Sequence, residues 1–171
     1  MENIGITALN LLKEMHESYK TSKNKEIQSD KIAYTSVMDA LVRSNYPHFA
    51  KKSNKLLNEM HHLCNSGNYK LSQRLKIKPC VQTYNAVLHT IARTCDKKAG
   101  AKARRLVNEM CKYSILYHEE DMKPNLVTLN MFMDCYVKSK MTVAGTKCEG
   151  ILREMVDGGK SDYILWHIFC N

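Results

Sequence analysis

Apolar residues recur along this chain with the period of a helix rather than of a strand. Residues 8–19 carry Leu9, Leu12 and Met15 on one stripe with polar residues between them. A polar loop, 20–29, follows, and Asp30 stands at an N-cap position. Residues 32–43 place Tyr34, Val37, Met38 and Leu41 on one face, and the residue before Pro47 is pushed out of the helical region. Helix resumes over 48–64 with Leu56, Leu57 and Met60, and Gly67-Asn68 ends it. A basic stretch leads to Lys78-Pro79-Cys80. Further helices are predicted over Val81–Arg93, over 101–110 with an extension through Tyr117, over Leu126–Lys138, and over 146–156 up to Gly158-Gly159. Residues 163–171 read as the first half of one more helix. No segment sustains apolar/polar alternation, so an all-α chain is expected.

The helical segments are copies of one another. An apolar pair, any residue, then Glu-Met appears as Leu11-Leu12-Lys13-Glu14-Met15, Leu56-Leu57-Asn58-Glu59-Met60, Leu106-Val107-Asn108-Glu109-Met110 and Ile151-Leu152-Arg153-Glu154-Met155. The methionines are spaced by 45, 50 and 45 residues. Seven residues before each stands a small residue, Ala8, Ser53, Ala103 or Cys148, which lets two helices approach closely. Tyr34, Tyr84 and Leu129 repeat in step, as do Arg43, Arg93 and Lys138. Helix pairs at a fixed period stack into a solenoid, because one pair cannot bury its apolar face alone.

Charge adds a partner class. The formal net charge is +9 over 171 residues, which favours an anionic partner such as nucleic acid or an acidic surface. Seven cysteines without a CxxC pair fit buried, reduced thiols rather than a disulfide framework or zinc knuckle. No apolar run approaches the length of a membrane span. The opening MENIGITALNLLKEM lacks the character of a secretory signal or a transit peptide. His61, His62 and Cys64 offer metal-ligand types without a second pair at ligand spacing, and Glu119-Glu120-Asp121 reads as a solvated loop. No Gly-rich phosphate loop, no nucleophile with a base and no framed acid pair is present. Neither an enzymatic activity, a cofactor nor a metal is therefore expected.

The repeated phrase resembles the pentatricopeptide repeat family. The resemblance is carried by Lys78-Pro79, Val81, Thr83-Tyr84-Asn85 and Leu106–Met110, then by Lys123-Pro124-Asn125, Val127-Thr128-Leu129-Asn130 and Ile151–Met155, and more loosely by Asp30, Ile32-Ala33-Tyr34-Thr35 and Leu56–Met60. It covers nearly the whole chain. These units run 45–50 residues where the family norm is near 35. The resemblance implies a right-handed α-solenoid of antiparallel helix hairpins in a single domain. A half unit, 1–30, would precede repeats 31–80, 81–125 and 126–162, and a second half unit would occupy 163–171.

The family implies single-stranded RNA binding, one base per repeat. Carried over residue by residue, base edges would be read by Thr35 with Cys80, Asn85 with Asn125, and Asn130 with Asp162. Base planes would be clamped by Ile32, Gln82, Val127 and Ile164, and phosphates would face Arg43, Arg93 and Lys138. The implied preference runs purine, pyrimidine, U. Members of the family act in mitochondria or plastids, on transcripts or within organellar ribosomes. Protein subunits capping the two half units are a further expected partner. Two readings of the same residues stay open. An Asn after the Tyr is also a helix-start residue, and a cation in a last turn also suits the helix dipole. A protein-binding scaffold with no base reading is the alternative function.

Overall fold

The computed structural model describes residues 3–22, 24, 27–44, 48–66, 71–117, 120–139, 142 and 144–157. Among these the chain forms helices and no strand. They are α1 (Ile4–Ser22), α2 (Lys31–Arg43), α3 (Phe49–Asn65), α4 (Leu71–Ile77), α5 (Val81–Arg93), α6 (Ala99–Leu116), a 3-10 turn at Glu120–Met122, α7 (Leu126–Lys138) and α8 (Ala144–Asp157). The half unit 163–171 with Ile164, and Asp162 at the end of the repeat 126–162, lie outside the described residues. α4 falls where only a basic stretch was expected. α1 begins at Ile4, earlier than the apolar stripe suggests.

The helices keep the register of the repeated phrase. α2, α5 and α7 are 13 residues long. After each comes a five-residue connection and a second helix, beginning at Phe49, Ala99 and Ala144. α1, starting 45 residues before α3, takes the register of a second helix. The start of α5 falls 32 residues after that of α3, against 27 from α1 to α2 and from α6 to α7. The five extra residues thus lie in the segment that holds α4.

The first helices start alike for a chemical reason. An α-helix leaves its first N–H groups unpaired, and a polar side chain at the N-cap or third position satisfies them. Asp30 Oδ1 accepts from the Ala33 N–H at 2.9 Å. Asn125 Oδ1 accepts from the Thr128 N–H at 3.0 Å, while Thr128 Oγ1 accepts from the Asn125 N–H at 3.1 Å, completing a capping box. Cys80 is a poor cap, and here Thr83 Oγ1 accepts from the Cys80 N–H at 3.3 Å. The threonine of the repeated phrase is therefore a capping residue.

The chain divides into two compact units, Met1–Thr90 and Ile91–Asn171, with the division inside α5. In the first, α1 packs on α2, α2 on α3 and α3 on α4. Tyr34, Met38, Leu57, Met60 and Tyr84 are fully buried there. The Tyr34 hydroxyl donates to Glu59 Oε1 at 3.1 Å and lies 3.3 Å from His16 Nε2. At the same register, the Tyr84 hydroxyl meets His61 Nε2 at 2.8 Å. In the second unit these two positions hold buried Cys111 and Leu129, an apolar set in place of a tyrosine–histidine pair.

In the second unit α6 packs on α7 and on the 3-10 turn, and α7 packs on α8. Phe132 is fully buried, with the Arg104 guanidinium 4.6 Å above its ring and the Tyr136 ring 5.1 Å away, edge-on. Cys64, Cys80, Cys95, Cys135 and Cys148 are free thiols. Cys111 is disulfide-bonded, which departs from the expected set of reduced thiols. Spacing along a chain does not reveal which sulfurs the fold brings within bonding distance.

Two second helices, α1 and α6, meet the next first helix through a glycine. A Cβ on Gly5 would lie 3.1 Å from the Leu41 side chain and 2.7 Å from Ser44 Oγ. At the same register a Cβ on Gly100 would lie 2.5 Å from the Tyr136 ring. Gly→Ala inside a helix normally stabilises by about 1 kcal/mol. Gly100→Ala is expected to destabilise instead, by roughly 1–2 kcal/mol, because the ring must move within a packed core. Urea unfolding checks this. Combining it with Tyr136→Leu should restore most of the loss relative to Tyr136→Leu alone, and a stabilising Gly100→Ala would refute the close approach.

Candidate nucleic-acid face

One face of each first helix stays out of the core. At 3.6 residues per turn, the second, fifth, ninth and thirteenth positions of a helix span an arc of about 80°. On α2 these are Ile32, Thr35, Asp39 and Arg43; on α5, Gln82, Asn85, His89 and Arg93; on α7, Val127, Asn130, Asp134 and Lys138. None of the twelve is buried. The opposite sides are buried in each case through Tyr34, Val37 and Leu41, through Tyr84, Val87 and Ile91, and through Leu129, Phe132 and Tyr136.

The second positions are solvent-facing on all three helices. Ile32 is 67 % exposed and Val127 50 %, although both are aliphatic, and Gln82 is exposed. Apolar side chains left uncovered beside polar neighbours suit a flat ligand face.

The fifth positions differ in how their polar groups are used. Thr35 Oγ1 donates to the Lys31 carbonyl at 2.7 Å and lies 3.0 Å from Thr83 Oγ1. Cys80 Sγ lies 3.4 Å from that same oxygen. Thr83 therefore joins Thr35 and Cys80, the first expected edge-reading pair, into one cluster. Sequence reasoning gave Thr83 no role; its place three residues after the cap was the available signal. Asn85 Oδ1 is shielded from solvent and has no hydrogen-bond partner among the described residues. A buried acceptor left unpaired costs about 1–3 kcal/mol. Asn130 is exposed. Asn125, its Oδ1 engaged in the capping box, is exposed too.

The cations at the thirteenth positions are not equivalent. Arg43 and Arg93 are exposed. Lys138 Nζ pairs with Asp134 Oδ2 at 2.5 Å, one helical turn back, so its charge is partly neutralised on its own helix. Other cations lie on second helices or just before them. Lys51, Lys52 and Lys55 on α3, Lys102 and Arg105 on α6, Lys147 on α8, and Lys97 and Lys98 ahead of α6 are all exposed.

Outside this face, the surroundings of several thiols and one imidazole among the described residues are set by burial and local hydrogen bonds. Cys135 is buried on α7 and its thiol is pushed up to about 12 by burial, with Asp134 adding to the rise, so it stays protonated. Cys64 Sγ donates to the Arg74 carbonyl at 3.4 Å, and burial raises its pKa as well. His61 is committed to Tyr84 while its neighbour His62 faces solvent. No group of three His, Cys, Asp or Glu side chains among the described residues could hold a metal ion. None of the described helices is long and apolar enough to cross a membrane. Compared with protein-family models, with curated proteins and with solved structures, the chain matches none of them.

Proposed function

We propose that this chain binds single-stranded RNA as a right-handed α-solenoid of helix hairpins of the pentatricopeptide repeat type, in organellar RNA metabolism or within an RNA-containing assembly such as an organellar ribosome. The observation that carries the reading is the unburied face repeated on α2, α5 and α7. It offers an exposed second position, a Thr or Asn at the fifth and a cation at the thirteenth. Within the first unit the stacking expected of a solenoid has support. First helix α2 meets first helix α5 through Thr35 and Thr83, and second helices α1 and α3 approach through His16 Nδ1 and Glu59 Oε1 at 3.7 Å. Stacking on Ile32 and Val127 would hold base planes, Asn85 and Asn130 would read edges, and Arg43, Arg93 and Lys138 would meet phosphates.

Titration of short single-stranded RNA at several salt concentrations tests this. Three phosphate contacts imply a slope of log affinity against log salt of about −2, and Arg43→Ala should reduce its magnitude by about 0.7. Asn85→Thr should move the preferred base at one position from pyrimidine toward purine. Absence of salt-sensitive binding to any pyrimidine-rich strand would sink the proposal.

The second reading is a scaffold or assembly subunit without base reading. The Lys138–Asp134 pair, Gln82 at a clamp position and the cations carried by second helices favour it. Its signature is salt-sensitive binding that responds to Lys51, Lys52 and Lys55 replacements and ignores Asn85→Thr.

A further inference from the structure

We propose that the exposed face of α3 docks on the sugar–phosphate backbone of a base-paired RNA. Such docking is independent of base reading by the first helices and fits both readings of the chain's function.

The exposed residues of α3 are three lysines, three asparagines and one histidine, with no acid and no apolar side chain among them. Five of these, Lys51, Lys55, Asn58, His62 and Asn65, follow one another at i, i+4, i+7, i+11 and i+14. That is the spacing of a single helical stripe about 21 Å long. Lys52 and Asn54 flank it. The opposite side of α3 is buried through Phe49, Leu56, Leu57 and Met60. Among the described residues no other second helix presents such a face. α1 exposes Leu11 and Glu14, α6 exposes Ile115 and Leu116, and α8 exposes Glu149 and Leu152.

The charge on this stripe is uncompensated. Residues 48–80 hold seven Lys or Arg and one acid, Glu59, a net +6 of the chain's +9. Glu59 is engaged elsewhere, accepting from the Tyr34 hydroxyl and lying 3.7 Å from His16 Nδ1. Lys51, Lys52 and Lys55 form no ion pair among the described residues, whereas Lys20, Lys102, Lys123 and Lys138 each do. Lys51 and Lys52 also stand in the first turn of α3, where a cation opposes the helix dipole. That turn holds no acid, and His48 makes no side-chain cap. An acid there would serve the fold better, so the lysines answer to something other than folding. The longer link between α3 and α5 belongs to the same basic segment. In it α4 packs on α3, the Arg74 Nε donates to the Cys64 carbonyl, and Lys76 is exposed.

The composition of the face selects its partner. A protein interface needs apolar or aromatic anchors at its centre, and a helix lying in a membrane surface needs an apolar side. The exposed face of α3 has neither. It also has no aromatic ring on which an unpaired base could stack. Lysines meet phosphates without an apolar core, and asparagine amides suit 2′-hydroxyls. Double-stranded RNA is bound through those groups, by backbone and shape rather than by sequence.

A fluorescein-labelled RNA duplex of about 16 base pairs serves as the probe, titrated with the full chain between about 50 and 200 mM salt. Three lysine contacts imply a slope of log affinity against log salt of about −2.7, a loss of roughly 40-fold over that range. Lys52 rests over the Phe49 ring, 5.5 Å from its centroid, and is left in place. Lys51→Gln with Lys55→Gln should reduce the slope to about −1, with unchanged circular dichroism and a melting temperature no lower than the parent's. Lys13→Gln with Lys20→Gln removes the same charge from α1 and should leave duplex binding unchanged, as should Asn85→Thr. Duplex binding that ignores salt or the α3 pair, an equal loss in the α1 pair, or equal affinity for a DNA duplex of the same sequence would each overturn the proposal. So would displacement of the duplex by polyglutamate or phosphatidylserine vesicles at matched charge. Loss of single-strand binding with duplex binding retained would sink base reading and leave this docking face standing.

Discussion

Replacing Phe132 by alanine is expected to destabilise the chain by about 3–5 kcal/mol, the usual cost of emptying a fully buried phenylalanine site. The ring is at 0 % exposure on the inner side of α7. Its removal forfeits apolar burial and leaves a void that Tyr136, held against Gly100, cannot fill without moving. Phe132→Leu, which keeps most of the volume, should cost about 1 kcal/mol. The Arg104 guanidinium over the ring adds an electrostatic part of about 0.5–1 kcal/mol. A double-mutant cycle with Arg104→Met should recover it as coupling. Thermal and urea unfolding measure each step. A loss below 1 kcal/mol for Phe132→Ala would mean that α7 does not pack as described.

The repeat made much of this legible beforehand. Glu-Met copies at 45- and 50-residue spacing fix where second helices lie, and the starts at Ile4, Phe49, Ala99 and Ala144 keep that register. Of the four small residues singled out for close packing, Ser53 and Ala103 are wholly buried and Ala8 and Cys148 only half-buried. Other features were hidden for identifiable reasons. α4 has seven residues and no apolar stripe long enough to recognise. The first turn of α1 holds Gly5 and Thr7, weak helix formers, yet Asn3 starts it, its Oδ1 accepting from the Gly5 N–H at 3.2 Å and its carbonyl from the Ile6 and Thr7 N–H groups. Candidate binding residues could be placed on a helix face from their spacing. Their engagement could not be seen, since the Asp134–Lys138 pair and the Thr35–Thr83–Cys80 cluster depend on rotamers and on a neighbour 48 residues away.

Acid should weaken the first unit through one buried pair. His61 is 7 % exposed, its Nε2 lies 2.8 Å from the Tyr84 hydroxyl, and burial lowers its pKa from 6.5 to about 4. The folded state thus holds His61 neutral where the unfolded chain would protonate it. For a depressed folded pKa, the stabilising contribution is complete above pH 6.5 and is lost as the pH falls from 6.5 to 4. At 1.36 kcal/mol per pH unit, and with solvent screening part of the effect, the loss should be about 2 kcal/mol. The chain supplies its own control, because the same two positions in the next repeat are Cys111 and Leu129. His61→Cys with Tyr84→Leu places the same residue types there, with a free thiol in place of the bonded Cys111, and removes the titrating imidazole. Urea unfolding between pH 7 and pH 4.5 should show a shallower decline in the double variant than in the parent, with the carboxylates contributing equally to both. Parallel declines would show that His61 is solvated in the folded state and that burial does not hold it neutral.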